Sequence, residues 1–227
     1  MKLPDKILKE IKEKCKNYWW NEKEERRYNE IKRDLFKLLI FTILSQNTSS
    51  ANTWKAYNNL EKKIGVTPYI LANADIRDIE NAIKPGGLYK VKARRIKEVA
   101  KEVIARWNGS LEWIRKSKED EVRKLLLSLR GIGRKTADVI ISSIHGCKNA
   151  FVVDTHMFRI AKRLGIVEEK AGYEKVSKAL ANLFDWENDS NAISYFWLLA
   201  KYICRAKKPR CKECPLRNYC KFGRDRV

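Results

Sequence analysis

The sequence predicts an all-α protein built as two helical domains. Three observations carry that expectation. Apolar residues recur at helical spacing along almost the whole chain, and the breaks fall on Gly, Pro and Asn. No stretch shows the alternation of a strand ladder, and there is no internal repeat or low-complexity linker. The chain has 227 residues and is 44% hydrophobic, enough for a substantial core, and long helices with short connections suit two packed lobes.

Taken in order, IKRDLFKLLIFTIL reads as one mostly buried helix, with Ile31, Leu35, Leu38, Leu39, Phe41 and Ile43 apolar. SANTWKAYNNLEKKIG is a second helix closed by Gly65. Thr67-Pro68 opens a turn and a short helix through Leu71. ADIRDIENAIK is another short helix, ended by Pro85-Gly86-Gly87. KARRIKEVAKEVIARWNG is amphipathic, with Ile96, Val99, Val103 and Ile104 inward, and stops at Asn108-Gly109. DEVRKLLLSL leads into Gly131-Ile132-Gly133, and RKTADVIISSIHG follows as a helix. AFVVD is extended, and helices resume at THMFRIAKRLG, YEKVSKALANLF and NAISYFWLLAKYIC.

Two motifs carry chemistry. In Leu129-Arg130-Gly131-Ile132-Gly133-Arg134-Lys135-Thr136-Ala137 an apolar helix ends in a G-I-G turn and a new helix starts at once. Glycines let the backbone bend tightly and approach another molecule. Free N–H groups at the new helix start suit a phosphate, and Arg134 and Lys135 add positive charge. Such a turn can hold a DNA backbone without reading sequence; glycine caps of a plain αα-hairpin are the simpler explanation. Asp154 follows Lys135 by nineteen residues and opens a helix, so it is an N-cap that could also be a catalyst. His145 and His156 are the only histidines; no spacing pairs them with cysteines, and both read as structural.

The second motif is Cys204, Cys211, Cys214 and Cys220, spaced by six, two and five residues. Disulfides suit short secreted chains, whereas this N-terminus is charged throughout and lacks a signal-peptide apolar core. No apolar run approaches a membrane span; the longest is Leu38 to Leu44. A metal is therefore favoured. Only Cys211/Cys214 forms a zinc-type knuckle, so the spacing leans toward an iron–sulfur cluster without excluding zinc. Cys15 and Cys147 stand apart and read as buried thiols. The net charge of +21 points to nucleic acid, with a Lys/Glu-rich thermophilic surface as the plainer source of charge. A balanced surface would not concentrate the excess, yet Lys201–Val227 holds ten basic and two acidic residues.

Together these residues resemble endonuclease III, of the helix-hairpin-helix DNA glycosylase superfamily. Four parts carry the resemblance, in order: LSQNTS at 44–49, GGLYKVKA at 86–93, LRGIGRKTA at 129–137 with VDTH at 153–156, and C-x6-C-x2-C-x5-C. The resemblance implies a six-helix barrel over 30–146, containing the hairpin. A second helical domain comes from 1–29 plus 147–227, with a DNA cleft between the two. It makes the four cysteines ligands of a [4Fe-4S] cluster, Lys135 the catalytic lysine and Asp154 the catalytic aspartate. A neutral amine can displace the damaged base and form a Schiff base, followed by β-elimination. The first turn of a helix, beside Arg134, disfavours a cation at Lys135. A phosphate-binding lysine is the plainer role. Gln46 and Leu88 would fill the space left by an extruded base, against the plainer roles of a helix-end hydrogen bond and a helix-entry staple. Gly131, Gly133, Arg134, Thr136, Arg205, Lys207, Lys208 and Arg210 would contact DNA.

The resemblance further implies a monomeric, cytoplasmic, nucleoid-associated enzyme with no membrane partner, acting on double-stranded DNA that holds a damaged base or abasic site. Its reaction would be removal of oxidised pyrimidines with abasic-site lyase activity. Alternatives are a thymine or uracil mismatch glycosylase, an adenine glycosylase, which Lys135 argues against, and a non-catalytic DNA-binding module. The chain departs from the family pattern at Arg130, where proline is common, at Ser49, where Asp is frequent, and in the proline-free loop HGCKNAFVV. The stretch from Asn108 to Lys135 is longer than usual, and YWWNEKEERRY is unfamiliar.

Overall fold

A computed structural model of the chain describes residues 2–18, 22–146, 151–186 and 191–224. The regular elements among them are helical: α1 (Asp5–Cys15), α2 (Glu22–Arg33), α3 (Leu35–Ser45), α4 (Ser50–Lys63), α5 (Pro68–Asn73), α6 (Ile76–Ile83), α7 (Tyr89–Trp107), α8 (Glu119–Ser128), α9 (Arg134–His145), α10 (Thr155–Leu164), α11 (Tyr173–Ala181), α12 (Ala192–Leu198) and α13 (Lys221–Arg224), with short 3₁₀ turns between them. The chain divides into two compact units, Lys23–His145 and Met1–Glu22 with Gly146–Val227. Cys147 and part of the loop HGCKNAFVV lie outside the described residues, as do the two tryptophans of YWWNEKEERRY.

In the unit Lys23–His145, α3 is the central helix. From Leu35 to Leu44 every residue except Lys37 is buried, the signature of a helix apolar all round. It packs against α4, α7 and α9, and α5 and α6 pack on α7. Phe41 anchors an aromatic cluster, with Trp54 at 4.8 Å and Tyr57 at 5.4 Å between ring centroids. On α7, Ile96, Val99 and Val103 point inward as expected, whereas Ile104 is only partly covered.

The helix expected over residues 31–44 is broken. Asp34 adopts extended backbone and its side chain accepts a hydrogen bond from Lys37 N, so it caps a new helix at Leu35. The groups exposed at the break are satisfied from far along the chain. Glu112 Oε1 accepts from Leu35 N at 2.7 Å, and Arg115 Nη2 donates to Arg33 O at 2.9 Å. Helix periodicity cannot show this interruption, because the apolar pattern runs on through it.

In the other unit the two chain ends fold together. Leu3 N donates to Leu183 O at 2.8 Å, and α1 lays Ile7, Ile11 and Cys15 against α12. Burial pushes the Cys15 thiol up to about 11, which fits an inert core cysteine. Phe184, Trp186 and Phe196 form an edge-to-face cluster in this core. The helix expected over 191–204 loosens into a π turn at Leu199–Ile203, where Cys204 N reaches Leu199 O at 2.9 Å. Among the described residues no helix is long and apolar enough to cross a membrane.

Candidate functional site

The hairpin between α8 and α9 is built from both glycines, for different reasons. Gly131 has φ +77°, and a Cβ there would collide with the Arg95 side chain. Gly133 has ordinary φ, and a Cβ would meet nothing within 4 Å. Internal packing therefore does not require glycine at 133; its bare backbone leaves the start of α9 open to an approaching molecule. Leu129 and Ile132 are buried beneath the turn, while Gly131, Gly133, Arg134 and Lys135 are exposed. Lys135 occupies the first turn of α9.

Thr136 is 5% exposed, and its hydroxyl accepts a hydrogen bond from Gln46 Nε2 at 3.1 Å. The Thr136 hydroxyl thus faces Gln46 rather than solvent. Gln46 follows α3 directly, and its Oε1 accepts from Arg95 Nη1. Its side chain is a bridge rather than the helix-end hydrogen bond, which its own backbone N–H makes to Ile43 O. Leu88 is 57% exposed and sits at φ +49°, a left-handed conformation that costs a leucine free energy. A staple would be buried, so the helix-entry role does not hold.

Beneath these loops lies Lys92, 2% exposed. Its Nζ donates to Leu44 O at 2.7 Å and Gly86 O at 2.9 Å, splinting the segment before Gln46 to the segment before Leu88. Sequence reasoning missed both Lys92 and Arg95. A signal existed for the first: Lys92 stands four residues before Ile96 on the apolar stripe of α7, where a hydrophobic residue is due.

In the other unit, Asp154 caps α10 as predicted. Its Oδ1 accepts from His156 N at 2.8 Å and Met157 N at 2.9 Å. Its Oδ2 accepts from Trp197 Nε1 at 2.6 Å, an interaction with no sequence signature. Arg159 Nη2 lies 3.0 Å from His156 Nδ1.

Cys204, Cys211, Cys214 and Cys220 line one pocket with Ile203, Arg217 and Phe222. No group of three or more His, Cys, Asp or Glu among the described residues stands ready to hold a metal ion as placed. The donor set nonetheless suits one. Burial pushes the Cys214 thiol up to about 12, with repulsion from the other three cysteines adding to it. Burial likewise raises Cys220. Four clustered thiols that oppose one another's ionisation are stabilised as thiolates by a cationic centre, and soft sulfur donors alone select zinc or iron–sulfur chemistry. Arg159 and Arg163, one turn apart on α10, brace the pocket. Arg159 Nε donates to Cys204 O at 2.8 Å, and Arg163 Nη1 reaches Cys204 Sγ at 3.4 Å and Arg205 O at 2.7 Å.

Arg205, Lys207 and Lys208 are exposed on the loop that leaves Cys204. Arg210 is not equivalent to them. Its guanidinium bonds Glu213 through Nε and Nη2 at 2.7 and 2.9 Å, and Tyr18 through Nη1 at 2.9 Å. Arg210 differs from the other three in having its guanidinium donors engaged within the protein.

An all-helical protein with an open hairpin, an exposed lysine behind it and a cysteine pocket under a basic loop has the make-up of a DNA-repair enzyme. Comparison with known proteins agrees. Residues 40–185 match the HhH-GPD superfamily base excision DNA repair protein family, and the chain belongs to that family. It is 34% identical to endonuclease III of Sulfolobus acidocaldarius over 86% of this chain and 85% of the relative. With endonuclease III of Thermotoga maritima the identity is 36%, over 87% and 88%. Among solved structures, a non-covalent endonuclease III–DNA complex superposes with TM-score 0.72 and 30% identity, covering 91% of this chain and 99% of that one.

Proposed function

We propose that this base excision repair enzyme is a bifunctional DNA glycosylase and abasic-site lyase acting on oxidised pyrimidines in duplex DNA. The observation that carries the reading is Lys135, exposed in the first turn of α9 behind the unobstructed Gly133. Main-chain N–H groups at the start of α9 bind a phosphate beside the lesion, with Arg134 adding charge. The Lys135 amine attacks C1′, the bond to the base breaks, and the base leaves with a proton. The nitrogen lone pair then opens the sugar ring, the C1′–O4′ bond breaking as O4′ takes a proton, and the resulting iminium loses a C2′ proton as the C3′–O bond breaks to cut the strand. Asp154 stabilises positive charge on the sugar and assists proton transfer. Exposed, strained Leu88 wedges into the stack, and Gln46 fills the vacated space after leaving Thr136 and Arg95.

Cys204, Cys211, Cys214 and Cys220 would hold a [4Fe-4S] cluster, which when bound supplies a cross-link that fixes the loop from Arg205 to Arg210. Arg205, Lys207 and Lys208 then meet phosphates, and Arg210 anchors the loop through Glu213 and Tyr18. On this reading residues 30–146 are the barrel domain and 1–29 with 147–227 the cluster domain, in a monomer working inside the cell.

Borohydride trapping on an abasic-site duplex tests the lyase. Wild type forms a covalent adduct, and Lys135→Gln forms none while retaining most of its duplex affinity. A wild-type protein that cannot be trapped would sink the proposal. A trapped Lys135→Gln variant would place the nucleophile on another amine. Iron and sulfide analysis checks the cluster, and stoichiometric zinc overturns it.

A further inference from the structure

Asp154 needs only Oδ1 to cap α10, since that oxygen takes both His156 N and Met157 N. Oδ2 is the oxygen left for chemistry. It receives an indole N–H from Trp197, on α12, at 2.6 Å. A hydrogen bond to a carboxylate is charge-assisted and directional. An indole N–H has no acceptor capacity and does not exchange roles as a water or hydroxyl would.

Trp197 is itself held on two sides. Lys201 Nζ lies 4.5 Å from its ring centroid. His156 meets it edge-on, with centroids 5.9 Å apart and planes at 85°. Arg159 fixes His156 through Nδ1 and ties the same arrangement to Ala200 O and Cys204 O. Trp197 packs against the core with only part of its ring. Phe196 and Leu198 on either side are buried in the core, while Trp197 is only partly covered.

We propose that Trp197 is a positioning residue for Asp154. It holds the carboxylate in one orientation and leaves a single free lone-pair direction on Oδ2 for the reacting sugar. This deepens the reading of Asp154 as the catalytic carboxylate and rests on it.

The test is a double-mutant cycle read by single-turnover cleavage of a duplex carrying one thymine glycol, with affinity measured on the same duplex holding a non-cleavable abasic analogue. Trp197→Phe removes the N–H and is expected to slow cleavage about tenfold with affinity unchanged. Benzothienylalanine placed at 197 by nonsense suppression keeps the shape, replaces N–H with sulfur, and is expected to match Trp197→Phe even if the phenylalanine variant is unstable. In an Asp154→Asn background, which keeps the cap, either change is expected to cost less than about twofold further. The proposal is overturned if benzothienylalanine leaves the wild-type rate intact, or if the loss is equally large in the Asp154→Asn background. If Asp154→Asn alone cleaves at the wild-type rate, it is the role of Asp154 that fails.

Discussion

Lys92 shows how one buried side chain can organise a site it does not enter. Its ammonium ties Leu44 O to Gly86 O, and thereby fixes the starting points of the Gln46 and Leu88 loops. Burial pushes it down to about 8, with repulsion from Arg95 adding to it. An unfolded lysine titrates near 10.4, so between these values the unfolded chain binds more protons than the folded one. The cost of burying the charge is therefore present in full below about pH 8 and is relieved as pH rises toward 10.4. We expect the stability of wild type relative to Lys92→Met to grow by up to about 3 kcal/mol across that interval, measured by urea unfolding. A difference that shrinks as pH rises would contradict this assignment. The chain has many lysines, and composition does not distinguish Lys92 from Lys135. The apolar stripe of α7 does, because it assigns Lys92 to the inward face.

At the scale of elements, the instructive feature is the break between α2 and α3. The sequence shows Asp34 in a run whose apolar spacing continues on both sides, and periodicity reads the run as one helix. The structure caps α3 with Asp34 and completes the cap with Glu112, 77 residues away. Helix-end groups left without partners cost free energy, so a distant carboxylate can stabilise a local interruption. Glu112→Ala is expected to destabilise the protein by about 1–2 kcal/mol, with duplex cleavage unchanged under conditions where it is folded. Chemical denaturation checks the first part; an unaltered midpoint would mean that solvent serves Leu35 N equally well. The hairpin between α8 and α9 is the opposite case. There the turn, the new helix and the lysine in its first turn are all legible in the sequence, because the glycines and the helix start act through local backbone geometry.

For the whole molecule, charge sets the mode of association. A net charge of +21, with its C-terminal concentration, predicts DNA affinity that falls steeply with salt. The structure divides the basic loop into three exposed residues and one, Arg210, whose guanidinium is engaged by Glu213 and Tyr18. Replacing Arg205, Lys207 or Lys208 with alanine is expected to make the slope of log affinity against log salt shallower by about 0.9 for each phosphate left unneutralised. Arg210→Ala is expected to leave that slope unchanged while weakening binding, because its guanidinium holds Glu213 and Tyr18. Equal slope changes at all four positions would restore Arg210 to the phosphate-facing set.

The sequence by itself determined the helical class, most helix ends, the hairpin, the cap at Asp154 and the cysteine quartet. Each is written in local spacing or in residue types with few alternative uses. Tertiary structure decided which of several chemically equal side chains do what. Lys92 is buried and Lys135 exposed; Arg210 is engaged and Arg205 presented to solvent; Thr136 turns toward Gln46. Trp197 reaches Asp154 across 43 positions of chain. Apart from the α7 stripe that turns Lys92 inward, these burials and hydrogen-bond partners depend on residues distant in sequence, which local spacing does not record.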